Sequence, residues 1–147
     1  ADELGAALLD HPSPLKKHLA SLKKTLADRP LMVSSHRALE IATRAGLEVH
    51  HLGEHIDAPL HTTPFHPCAG PRLEGEAQPF SLQCCGAHDS LQKHHAKIAD
   101  EVGESAVREL GGTPHACPDS RCAAHLKNHG AQVSDPIDWL LAAYPEP

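Results

Sequence analysis

Residues 113–141, TPHACPDSRCAAHLKNHGAQVSDPIDWLL, decide the fold class. TPHAC is a short strand that closes on Cys117, and Asp119 is the natural cap of a helix over about 120–129, which Gly130 terminates. AQVSDP reads as the next strand. Asp135 and Pro136 then open a final helix carrying Ile137, Leu140 and Leu141, with proline at a position where its missing N–H costs nothing. Strand, helix, strand, helix in succession is the pattern of parallel strands joined by helical crossovers.

The same alternation runs upstream. LMVSS (31–35) is an apolar run suited to a buried strand, followed by a helix over about 36–45 that Gly46 ends, and LEVHHL (47–52) is a second strand. Residues 57–63 form a loop and PFHPC (64–68) a short strand ending at Cys68. A turn-rich AGPRLEGEAQP leads to SLQCC (81–85), a strand end, and Asp89 with Gln92 opens a long helix over about 89–110. Its buried stripe is expected to hold Leu91, His95, Ile98, Val102, Ala106 and Leu110, with Gly111 and Gly112 as its stop. Nearer the start, Ser13 and Pro14 introduce an amphipathic helix with Leu15, Leu19, Leu22 and Leu26 at helical spacing. LGAALL before it is another helical piece. The expected fold class is therefore α/β: a parallel sheet of about four to five strands flanked by helices, in one domain over 1–147 with a helical extension over about 1–29.

Composition narrows the function. Aromatics are 3% of the 147 residues, so a base-stacking surface is hard to build. Lys+Arg number 13 against 19 Asp+Glu, a net charge of -6, which opposes phosphate binding. Nucleic acid is not an expected partner. No apolar run approaches a membrane span, and the opening ADELGAALLDHP lacks a basic region followed by an apolar one, so a cytoplasmic protein, free or peripheral to a membrane complex, is expected. No GxxxxGK, GxGxxG or GxSxG occurs, which leaves nucleotide and serine-hydrolase chemistry without support.

The five cysteines all fall between positions 68 and 122. Ligands of open α/β sheets bind at the carboxyl ends of the strands, and Cys68, Cys84, Cys85, Cys117 and Cys122 occupy those points in the expected fold. A cysteine site at the C-terminal edge of the sheet follows. Adjacent Cys84 and Cys85 do not suit two long-range disulfides, so metal binding or thiol redox chemistry leads. His66, His88, His115 and His125 lie near the thiols in sequence. Arg72 and Arg121 flank the site and can offset thiolate charge. Most of the 14 histidines, including His11, His18, His50 and His129, read as solvated groups, and one of His94 and His95 is expected to face the core. Lys16, Lys17, Lys23 and Lys24 give the first long helix a basic face.

Cys84-Cys85-Gly86, preceded by His66-Pro67-Cys68 and followed by Cys117-Pro118 and Cys122, resembles the CCG cysteine-rich domain. That family includes the B subunit of heterodisulfide reductase and iron–sulfur subunits of glycolate, lactate and glycerol-3-phosphate oxidation systems. The similarity spans roughly 31–144 and extends to the closing VSDPIDWLLAAY. It implies an iron–sulfur cluster, of the noncubane 4Fe-4S type, held by all five cysteines, with His66, His88, Arg72 and Arg121 around it. It further implies an electron-transfer or disulfide-reductase-type subunit working with other redox subunits of an oxidoreductase complex. Such partners would contact the cysteine edge through the loops about 71–79 and 118–121. Family members usually carry two such domains, and Ser34 and Ser35 fall where a preceding half would end its own cysteine pair. From the residues alone two alternatives stay open: a zinc-binding structural or assembly module, and a metal-free thiol–disulfide oxidoreductase.

Overall fold

A computed structural model describes residues 20–68, 70–75 and 84–144. Among them, five short strands alternate with helices: β1 (Leu31–Val33), α1 (His36–Arg44), β2 (Val49–His51), β3 (Thr63–Pro64), α2 (Asp89–His94), α3 (Ala96–Leu110), β4 (His115–Ala116), α4 (Ser120–Asn128), β5 (Val133–Ser134) and α5 (Pro136–Ala143). A helical stretch over 20–26 precedes them, with Leu22 and Leu26 half-buried and Lys23 and Lys24 exposed. The LGAALL piece, Ser13, Pro14, Leu15, Leu19, Lys16, Lys17, His11 and His18 lie outside the described residues, as do residues 81–83 of SLQCC and 76–79 of the turn-rich loop. Among the described residues no helix is long and apolar enough to cross a membrane.

All strand pairs are parallel, as the alternation requires, but they form two sheets. β1 pairs with β2, placing Leu31 opposite Val49 and Val33 opposite His51. The second sheet runs β3-β4-β5, with Thr63 and Val133 both opposite His115. Strands of two or three residues offer few ladder bonds. Pro64 has no N–H to donate and sits in an edge strand, where that is tolerated. The sheets meet at the carboxyl ends of β1 and β4. There the Ser120 N–H donates to the Ser34 carbonyl at 2.8 Å, and the His36 N–H donates to Asp119 Oδ2, also at 2.8 Å.

The helix boundaries follow local chemistry. Ser35 caps α1 by accepting from the Ala38 N–H at 3.2 Å, and Gly46 takes the left-handed turn beyond it at φ 79°. Asp119 caps α4 through Oδ1, which accepts from the N–H groups of Arg121 (3.0 Å) and Cys122 (3.1 Å). At α5, Asp135 and Asp138 form a reciprocal capping box around Pro136. Trp139, rather than Ile137 or Leu141, does the burying there. It is 3% exposed against 42% and 64%, and its indole N–H donates to Ser134 Oγ at 2.9 Å.

The helix expected over 89–110 is two helices. The chain breaks at His95 (φ −140°, ψ 53°), and His88, not Asp89, caps α2 by accepting from the Ser90 N–H. Gln92 turns instead to His125 Nδ1 at 3.1 Å. The buried stripe of α3 is Ala99, Gly103, Ala106 and Leu110, while Ile98 is 49% exposed and both His94 and His95 face water. The cause is close approach of α3 and α4. A Cβ on Gly103 would stand 2.6 Å from both His125 Nε2 and His129 Cδ2. Only the small-residue face of α3 fits at that separation, so hydrophobic spacing alone misplaces it.

One apolar cluster gathers Phe65, Ala106, Leu110, Ala123, Leu126 and Val133 together with Cys85, Cys117 and Cys122. The thiols are thus built into the core and not appended to it. Asp119 joins the two sheets and is 7% exposed. Asp119→Ala is expected to cost about 2 kcal/mol, the upper range for losing a cap, and to lower Tm by roughly 4–8 °C at this chain length. Asp119→Asn should retain most of that. Thermal melts of the two variants check it, and a melt of the alanine variant unchanged from wild type would remove Asp119 from this role.

Candidate functional site

Four cysteines from three chain segments line one cavity of about 230 Å³. Cys68 follows β3 and is exposed, Cys84 is half-buried, and Cys85 and Cys122 are buried. Cys122 comes from the first turn of α4, and the first turn of α1 contributes His36 and Arg37 to the lining. The amino ends of two nine-residue helices therefore border the same space. Each carries partial positive charge, which favours anions there. Arg121 and His88 also line the cavity, as expected of residues beside the thiols, and Glu40 balances part of the charge through contacts to Arg37 (3.3 Å) and His36 (3.4 Å).

The thiols act on one another's charge: Cys84 and Cys85, Cys85 and Cys122, and Cys122 and Cys117 influence each other, and Cys68 acts electrostatically on Cys84. Cys117 lies at the inner end, fully buried and off the cavity wall, with its thiol donating to the Asp119 carbonyl at 3.4 Å. Cys84 Sγ accepts from the Gly86 N–H at 3.3 Å. Among the described residues no group of three or more His, Cys, Asp or Glu side chains is arranged to hold a metal ion.

This linkage sets their charge. Hydrogen bonds from Cys122, then from Cys84, with help from the Ala87 N–H and His125, pull Cys85 down from its ordinary 9.0 to about 3. Its partners move the other way. Cys84 is pushed up first by its hydrogen bond to Cys85 and then by burial, and Cys122 first by Cys117 and then by Cys85. One thiolate held by neighbouring thiols is the result.

Gly86 explains the third residue of Cys84-Cys85-Gly86. It adopts φ 93°, and a Cβ there would stand 2.7 Å from the Ala99 carbonyl oxygen and 2.9 Å from His125 Nε2. His125 is 5% exposed. Its Nε2 lies 2.9 Å from the Ala99 carbonyl, which can only accept, so Nε2 donates there, and Nδ1 lies 3.1 Å from the Gln92 amide nitrogen. His129, expected at the surface, packs edge-on against His125 with ring centroids 4.8 Å apart and pairs with Asp100 at 3.4 Å. His50 remains partly solvated beside His55.

Other expected neighbours stand away from the thiols. Arg72 lines a separate cavity beside the 53–64 loop, together with Pro71, Leu73 and Glu74. His66 ties down its own loop through the Leu73 carbonyl at 3.1 Å. His115 is buried in β4 with Nδ1 on the Thr113 carbonyl. Pro118 is fully buried, so of the expected 118–121 contact loop it is Asp119 and Arg121 that line the cavity. His36, Arg37, Glu40 and Asp119 were not among the expected site residues. The signal was present, since Ser34 and Ser35 mark the carboxyl end of a strand feeding a helix.

Comparison with protein-family models, curated proteins and solved structures finds no match to this chain.

The depressed Cys85 thiol adds stability that is complete above the unfolded pKa of 9.0 and drains away as pH falls toward about 3. Cys84 and Cys122, shifted upward, act oppositely: their contribution is complete below 9.0 and is lost on strong alkalinisation. Metal-free protein at pH 7 should show one thiolate by ultraviolet absorbance, and Cys85→Ser should remove it. Full absorbance in that variant would assign the charge to another cysteine.

Proposed function

We propose that this chain binds an iron–sulfur cluster through its cysteines and serves as an electron-transfer or disulfide-reductase-type subunit of a larger oxidoreductase. The observation that supports the reading is that Cys68, Cys84, Cys85 and Cys122 all line one cavity bordered by two helix amino ends. Cys117 stands directly behind Cys122 as the fifth thiol. The donor set is sulfur throughout, which suits iron–sulfur clusters and zinc. The cavity, of about 230 Å³, has room for either.

Cysteine binds metal as thiolate, so loading the site would displace the thiol protons. When bound, the cluster supplies a one-electron relay whose potential depends on burial and hydrogen bonds to sulfur. The chain's own residues supply that setting. The Gly86 and Ala87 N–H groups reach Cys84 and Cys85. Asp119 holds the Cys122 backbone, and Arg37 and Arg121 bring positive charge to the mouth. With no nucleotide-binding motif in the sequence, electrons must come from a redox partner that docks over the cavity mouth, where Cys68 and His88 are exposed.

Anaerobically purified protein should be brown and contain iron and sulfide, with zinc absent. A colourless protein with stoichiometric zinc would replace this reading by the zinc-stabilised module, and a protein with neither metal would end both. Cys85→Ser should abolish cluster content and lower Tm by several degrees, because a group bound only by the folded state stabilises it, by about 2.7 kcal/mol at a hundredfold excess over Kd. Unchanged iron content in that variant would contradict the ligand assignment.

A further inference from the structure

We propose a second metal site on this chain, in which His50 and His55, at the carboxyl end of β2, chelate a divalent transition ion such as Ni²⁺, Cu²⁺ or Zn²⁺. It shares no residue with the cysteine cavity, and it stands whether or not that cavity holds a cluster.

Two imidazoles can share one ion only if the chain holds them at the right separation. Metal–nitrogen bonds of about 2.0–2.1 Å, at angles of about 90–120°, put the two ring centroids about 4.5–5.5 Å apart. The centroids of His50 and His55 are 5.5 Å apart, with the ring planes at 78°. The His55 ring is exposed and can turn to aim a nitrogen into the intervening space. The pair supplies two nitrogens, and water completes the coordination sphere.

This spacing is set by a tied-down turn. The 3₁₀ turn over Leu52–Glu54 folds the chain back directly after β2. Buried His51 closes it, its Nδ1 accepting from the Gly53 N–H at 2.9 Å, and the His55 N–H donates to the Leu52 carbonyl at 3.0 Å. Gly53 is pressed onto the body of the protein, since a Cβ there would stand 2.9 Å from the Pro118 carbonyl oxygen. At the other end, β2 is held in its ladder with Met32 opposite His50. Both imidazoles therefore hang from fixed backbone, and chelation costs little further ordering.

The surrounding charge favours a cation. Residues 45–71 carry Glu48, Glu54 and Asp57 and no lysine or arginine, and all three acids are exposed, a local field that draws positive ions. Glu48 Oε1 lies 3.5 Å from His50 Nε2. A carboxylate beside one nitrogen of a ligating imidazole fixes the tautomer and raises the basicity of the other nitrogen, which binds the metal. His50 Nδ1 is then the donor atom. Imidazole donors select late transition ions over Ca²⁺ and Mg²⁺, which prefer oxygen.

The test titrates the full chain, reduced and metal-free, with Ni²⁺ and reads paramagnetic broadening of the backbone amide signals by NMR. Broadening should saturate around residues 48–57 and persist in Cys85→Ser, which separates it from binding at the thiols. His55→Ala should weaken it about a hundredfold through loss of the chelate, and Glu48→Gln about tenfold. The proposal is overturned if broadening is confined to the cysteine cavity, if it falls equally on exposed histidines elsewhere such as His94 and His95, or if His55→Ala binds Ni²⁺ as the wild type does. A chain that binds Ni²⁺ here yet takes up neither iron nor zinc at its thiols would end the cluster reading and leave this site standing.

Discussion

The Asp119 carboxylate holds the architecture together. Its two oxygens serve two different helices: Oδ1 receives the first-turn N–H groups of α4, and Oδ2 receives the first N–H of α1. Strands of two or three residues could not unite the sheets by a shared ladder, and they do not. One buried anion between two helix amino ends does so instead, in the arrangement that partial positive charge at those ends favours. Because the same two first turns carry Cys122, His36 and Arg37, the joint between the sheets is also the wall of the cavity.

That coincidence accounts for the electrostatics of the site. An environment with two helix amino ends and two arginines stabilises negative charge, and the chain places its thiols there. Without metal, the charge is confined to Cys85 and shared through hydrogen bonds with Cys84 and Cys122. The same field would offset the several thiolates of the loaded site proposed above. Cys117 differs in kind. Its backbone N–H completes the β4–β5 pairing at the Ser134 carbonyl, 2.9 Å away, and its sulfur belongs to the core cluster.

Much of this was legible in the sequence because the signals were local. Asp119, Asp135 with Pro136, Ser35 and Gly46 are caps and stops whose chemistry depends on a few adjacent residues, and each lies where that chemistry puts it. The placement of Cys117 at the end of β4 and of Cys122 in the first turn of α4 followed from the same alternation. Long-range contacts were not legible. Nothing local reveals that Gln92 bonds to His125, which accompanies the break at His95. Nor does local sequence reveal that α3 turns its glycine and alanines inward. A hydrophobic stripe assigns the inner face to the largest apolar residues, which holds only where helices stand far enough apart to accommodate them. The division into two sheets was likewise hidden, since alternation fixes strand direction but not which strands share a ladder.

The close approach of α3 and α4 has a further consequence for the thiols. A core with 3% aromatic residues cannot fill wide interhelical spaces, so density comes from bringing backbones together over Gly103, Ala99 and Ala123, all without bulk at the contact. His125 occupies the remaining volume as a polar spacer with both nitrogens satisfied, one by α3 and one by Gln92 of α2. Gly86 packs onto that same ring and the same Ala99 carbonyl. The turn bearing Cys84 and Cys85 is therefore seated on the α3–α4 interface, and Cys122 belongs to one of the two helices that make it. Relative motion of the two thiol-bearing segments would require opening that interface. The spacing between Cys85 and Cys122 is thus fixed by helix packing behind the site, not by the loops in front of it.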